Sequence, residues 1–63
     1  MLLVEKNEIC IKDYVEILIM EQNYFKIKMN QYLLNVRGDH LEIYYYDQNE
    51  IRLHGTIQVI EYV

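Results

Sequence analysis

Tyr24-Phe25-Lys26-Ile27-Lys28-Met29 alternates polar-facing and apolar side chains, breaks at Asn30-Gln31, and resumes as Tyr32-Leu33-Leu34-Asn35-Val36-Arg37 before Gly38-Asp39. In an extended chain successive side chains point to opposite faces. Phe25, Ile27 and Met29 therefore share one face, with Tyr24, Lys26 and Lys28 on the other. Leu34 and Val36 continue an inward face after a two-residue break of the kind that closes a tight hairpin.

The same rhythm extends in both directions. Upstream, Glu8-Ile9-Cys10-Ile11 is closed by Lys12-Asp13-Tyr14, and Val15, Ile17 and Ile19 fall in phase before the turn Glu21-Gln22-Asn23. Downstream, Leu41 and Ile43, then Ile51 and Leu53, are inward positions around the turn Asp47-Gln48-Asn49, and Ile57 to Val63 closes the chain. About seven short strands at intervals of roughly eight to ten residues predict an antiparallel all-β domain. The expectation is one small meander of six or seven strands over residues 1–63, arranged as a twisted sheet, small sandwich or roll. Composition agrees: Ala, Pro, Ser and Trp are absent, while β-branched and aromatic residues abound. Around Ile9–Ile19, helical spacing produces no apolar stripe.

Leu34-Asn35-Val36-Arg37-Gly38 and Ile51-Arg52-Leu53-His54-Gly55 match at an offset of 17 residues. Gly38 and Gly55 are thus expected at equivalent corners, each supplying positive φ or a bulge between two short strands.

With 63 residues the chain buries little surface alone, and 52% of it is apolar, so self-association is expected. Six Lys and Arg against ten Asp and Glu give a net charge of −4, which disfavours nucleic acid as a partner. No apolar run exceeds four residues, too short to span a bilayer. Met1-Leu2-Leu3-Val4 lacks the basic leader and long core of a signal peptide. The single Cys10 suits a reducing cytoplasm.

Candidate chemistry is sparse. Cys10, His40 and His54 are the soft ligands, without CxxC or HxxxH spacing, and are read as non-metal residues. Nothing orients a Cys–His nucleophile. Asp39, Glu42, Asp47 and Glu50 read as turn formers and solvated strand positions rather than a catalytic pair. No enzyme, cofactor or metal is expected. Tyr44-Tyr45-Tyr46 with Lys26 and Lys28 has the residue types of a single-strand binder, but alternation turns one of each consecutive Tyr pair toward the core. The apolar side chains left on the outer face, Leu18, Met20, Leu33 and Tyr44, form the candidate partner surface.

From Glu8 to Tyr62 the sequence resembles the YabP/YqfC family of sporulation proteins. The resemblance lies in Glu8-Ile9-Cys10-Ile11 leading to Tyr14, in Phe25-Lys26-Ile27-Lys28-Met29, and in two glycine boxes. These are Leu34-Asn35-Val36-Arg37-Gly38-Asp39-His40-Leu41-Glu42-Ile43 and Glu50-Ile51-Arg52-Leu53-His54-Gly55-Thr56-Ile57-Gln58-Val59-Ile60-Glu61-Tyr62. It implies a non-enzymatic structural or assembly protein of the mother-cell cytoplasm, acting in spore envelope or coat formation as a homo-oligomer or with partners of the sporulation apparatus. Against that resemblance, the N-terminal segment that usually precedes the domain in YqfC-like members is expected to be missing. The alternative is a small Sm-like or SH3-like β-barrel that binds peptide or RNA.

Overall fold

The computed structural model describes residues 2–63. It holds six strands: β1 (Leu2–Glu5), β2 (Glu8–Lys12), β3 (Glu16–Glu21), β4 (Tyr24–Lys28), β5 (Leu33–Tyr46) and β6 (Glu50–Tyr62). All neighbours are antiparallel in one sheet of order β1-β2-β6-β5-β4-β3. The all-β expectation holds. The meander covers β3 to β6 only, because the β1–β2 hairpin pairs along the far side of β6. The sheet ends at β1 and β3 and does not close into a barrel.

The connection from β2 to β3 shows why the sheet cannot be flat. Lys12 and Glu16 are four Cα steps apart, at most about 14 Å. Their strands are four spacings apart in the sheet, roughly 19 Å if it were flat. The sheet therefore folds over itself. The link crosses between the two halves: the Asp13 N–H donates to the Asn49 carbonyl (2.6 Å), the Val15 N–H to the Lys28 carbonyl (2.8 Å), and the Tyr14 hydroxyl to the Asp47 carbonyl (2.7 Å).

The fold line runs across β5 and β6. Inward positions on β5 are Leu34, Val36 and Gly38, then Leu41, a spacing of three that marks one extra residue. His40 takes a left-handed φ of 55° at this bulge. On β6 the extra residue is Gln58, since Arg37 pairs with Val59 and Gly38 with Ile57. Bulges bend and twist a strand, so these two crease the central ribbon. Inside the crease, Ile9, Ile11, Ile51 and Leu53 from one half join Phe25, Ile27, Met29, Leu34, Val36 and Leu41 as one buried cluster.

Gly38 and Gly55 do not separate short strands, as the sequence suggested; they lie inside β5 and β6. A bulge and a turn leave the same trace in sequence, a slip of phase beside Gly and polar residues. Only Gly55 has positive φ (139°). The two are nonetheless matched. The Gly38 N–H donates to the Asn23 carbonyl (3.1 Å) and the Gly55 N–H to the Asn7 carbonyl (3.0 Å). Each long strand thus begins against its own hairpin, β5 against β3–β4 and β6 against β1–β2. Glu5, Asn7, Ile9, Ile11 and Lys12 have counterparts in Glu21, Asn23, Phe25, Ile27 and Lys28, at an offset of 16. The domain is built from two similar halves.

Candidate functional site

Register aligns the outer face of β1-β2-β6-β5 into rows. One row is Leu3, Cys10, Arg52 and Tyr45; the next is Glu5, Glu8, His54 and Glu42. The Cys10 thiol donates to Glu50 Oε2 at 3.0 Å, and Arg52 Nε donates to the same oxygen at 3.1 Å. Removal from water and the Glu50 carboxylate push the Cys10 thiol above its ordinary range. Glu50 is held below its usual range, chiefly by Arg52 and then by Cys10. Arg52 also lies 4.9 Å from the Tyr45 ring centre. A depression of about 220 Å³ opens here, lined by Leu3, Glu8, Cys10, Lys12, Tyr44 and Arg52 among others. Its lining carries two acids, Glu5 and Glu8, and two bases, Lys12 and Arg52, so it has no net charge of one sign.

The residues weighed for chemistry meet only in small groups: Cys10 with Glu50, His54 with Glu42, and His40 and His54 along one shallow hollow beside Gly55. His54 Nε2 lies 3.6 Å from Glu42 Oε1, with its ring 5.1 Å from that of Tyr44, while His40 sits exposed at the β5 bulge. Asp47 Oδ1 accepts the backbone N–H groups of Asn49 and Glu50, capping the β5–β6 turn as its place in the sequence suggested. Asp39 accepts from Gln58 Nε2 at 3.4 Å. Among the described residues, no three His, Cys, Asp or Glu side chains gather as a metal site.

A different surface collects apolar groups. Met20, Ile43, Tyr44, Tyr45 and Tyr46 line a shallow hollow of about 460 Å³ where β3 approaches the end of β5. Met20 is 63% exposed and Tyr46 69%, and Tyr44 and Tyr45 are also exposed. Of the candidate partner residues, this brings Met20 and Tyr44 together. Leu18 is exposed at the β3 bulge, where Ile17 pairs with Ile27 and Ile19 with Lys26. Leu33 is half-buried, its N–H and carbonyl both bonded to Val63. The expectation that one of each Tyr pair enters the core fails. Ile43 pairs with Leu53 and Tyr45 with Arg52, so Tyr44 is an extra residue that breaks the alternation. Sequence reasoning missed Tyr45 and Tyr46 here; three successive tyrosines beyond the last inward Ile43 were the available signal.

The architecture defines a class: a small all-β domain, one antiparallel sheet folded over a single core from two similar hairpin-plus-strand halves. The YabP family model matches residues 1–63, and the chain belongs to that family. Membership points to a sporulation-related protein. No curated protein and no solved structure matches the chain. No helix among the described residues is long and apolar enough to cross a membrane.

Proposed function

We propose that the chain is a non-enzymatic assembly protein of spore formation, working in the mother-cell cytoplasm by self-association or by binding a protein of the sporulation apparatus. The observation that carries this reading is the clustering of Met20, Tyr44, Tyr45 and Tyr46 around Ile43 on the surface of so small a domain. Grouped apolar side chains on a soluble surface mark an interaction site far more often than scattered ones do. Tyrosine supplies large contact area with few rotors to immobilise, which suits it to binding surfaces. Family membership supplies the sporulation context.

The test is made in the native host. A chromosomal Met20→Glu, Tyr46→Glu double variant is compared with wild type for spore yield and for co-purification of the chain with itself and with spore envelope fractions. Reduced yield and lost co-purification, with the purified variant still folded, support the reading. Unchanged yield and unchanged co-purification overturn it.

A further inference from the structure

We infer that the second half of β6, centred on Ile60, is a self-pairing edge that joins two copies of the chain through antiparallel strand addition. The inference rests on the self-association reading above and names its route. β5 covers one side of β6 along its whole length, whereas β2 covers the other side only from Glu50 to His54, ending at the Gly55–Asn7 hydrogen bond. From Thr56 to Tyr62 no described strand pairs with that second side.

The direction of the free groups follows from the ladder. Leu33 and Val63 exchange both backbone hydrogen bonds, each at 2.8 Å. Bonded and non-bonded pairs alternate in an antiparallel ladder. Asn35–Glu61 and Arg37–Val59 are therefore bonded pairs, and Leu34–Tyr62 and Val36–Ile60 are not. The N–H and carbonyl groups of Ile60 and Tyr62 consequently point away from β5, toward the uncovered side. Such a row templates another strand unless it is blunted.

The open edges of β3 and β5 are blunted, whereas β1 is as short as Val59–Tyr62, likewise carries one charge, and stands as a second open edge. β1 has four residues and ends in Glu5. β3 is bulged at Leu18 and bounded by Glu16 and Glu21. The open side of β5 beyond Leu41 begins with Glu42 and is bulged at Tyr44. On β6 the bulge at Gln58 comes earlier, and Val59–Tyr62 pairs regularly with one charge, Glu61. Val59 is 44% exposed and Tyr62 60% exposed, while Ile60 packs against the core.

Charge selects the register. A two-fold dimer makes the same contact twice. Centring it on Glu61 would set two carboxylates opposite each other, whereas centring it on Ile60 sets Ile60 against its own copy and Val59 against Glu61 of the second copy. The latter uses the outward Ile60 groups and leaves no like charges opposed. It joins two folded sheets into one continuous sheet across the dimer axis.

The experiment is sedimentation of the full chain in the analytical ultracentrifuge over a concentration series, for wild type, Val59→Glu, Val59→Lys and the Met20→Glu, Tyr46→Glu double variant. A synthetic chain N-methylated at Ile60 removes only an outward N–H. The expected result is a wild-type dimer weakened on the order of tenfold by Val59→Glu, which creates two carboxylate pairs, and not weakened by Val59→Lys. The N-methyl chain is expected to be folded and monomeric. A dimer indifferent to Val59→Glu and to N-methylation, or weakened equally by Val59→Glu and Val59→Lys, overturns this edge. If that dimer is lost in the Met20→Glu, Tyr46→Glu variant, self-association stands through the tyrosine surface. A chain that is monomeric throughout removes the edge and leaves only partner binding under the proposed function.

Discussion

Gly38 and Gly55 flank one crease from neighbouring strands, and a side chain is excluded at the two positions for different reasons. A Cβ on Gly38 would overlap the Thr56 carbonyl oxygen of β6, although the Gly38 backbone itself is not left-handed. A Cβ on Gly55 would come within 2.6 Å of the His40 carbonyl oxygen, and its φ of 139° is one that L-residues rarely adopt. The neighbours in both cases are backbone atoms, which cannot rotate aside.

Gly38→Ala and Gly55→Ala are each expected to cost at least about 2 kcal/mol, a large share of a small domain's stability. Gln58→Ala, at an exposed bulge position, is expected to stay within about 0.5 kcal/mol. Urea midpoints of the three variants decide this. D-Ala placed at position 55 by synthesis recovers much of the loss, because a D-residue favours positive φ. Equal losses for L- and D-Ala there would refute the conformational account.

The two-halves construction makes a paired forecast for the core. Ile11 and Ile27 are matched positions on β2 and β4, both fully buried. Each change to Ala removes three buried carbons and leaves a cavity, so each is expected to cost about 2–5 kcal/mol. Val15, nearly half exposed, is expected to lose less than about 0.5 kcal/mol on change to Ala. Thermal and denaturant unfolding of all three checks the contrast. An Ile27→Ala loss as small as that of Val15→Ala would mean that the β4 side is not part of the common core.

Much of this fold was legible because alternation is a local property. Phe25, Ile27, Met29, Leu34, Val36, Leu41, Ile51 and Leu53 were inward on period two, and all eight are buried. What the pattern could not convey was continuity. The step from Gly38 to Leu41 breaks phase whether the chain reverses or bulges, and only pairing with β6 distinguishes the two. Strand order was equally hidden, since the attachment of β1–β2 to β6 depends on pairs far apart in the chain, from Lys12 with Glu50 to Glu8 with His54. The glycine echo at offset 17 is visible in the sequence, and its partner echo at offset 16 sets Glu5–Lys12 against Glu21–Lys28. Four of its eight positions are identical, Glu5/Glu21, Asn7/Asn23, Ile11/Ile27 and Lys12/Lys28, and its structural meaning is clear once Asn7 and Asn23 receive the two glycine N–H groups. At the candidate surface, Met20 and Tyr44 were readable as outward apolar residues, whereas Tyr45 and Tyr46 needed the bulge at Tyr44.

Cys10 is expected to react slowly with thiol reagents. Its thiol is partly withdrawn from water and donates to Glu50, both of which disfavour the thiolate. The rate of labelling by a maleimide should rise with pH beyond the range of an unstructured cysteine peptide. Glu50→Gln is expected to bring the two closer without making them equal, because burial is the larger cause. Labelling as fast as the peptide at pH 7.5 in the folded wild type would contradict this.

Acid is expected to loosen the β5–β6 turn through Asp47. The Asn49 N–H, the Tyr45 hydroxyl and the Glu50 N–H all donate to this carboxylate and hold it below its ordinary range. The folded chain thus keeps Asp47 ionised at pH values where the unfolded chain has begun to protonate it. Its contribution is fully present above the unfolded value of about 4 and is lost as pH falls through the lower folded value. Glu50, lowered mainly by Arg52, acts with the same sign in the same window. Wild-type stability should therefore decline between about pH 5 and pH 2.5. Asp47→Asn keeps an oxygen to accept the two N–H groups but cannot ionise, so its stability at pH 7 should fall while its acid decline becomes shallower, the Glu50 part remaining. Urea midpoints for both proteins at pH 7, 5, 4, 3 and 2.5 measure the difference. Parallel curves would show that Asp47 contributes through turn geometry alone and that its charge is immaterial to folding.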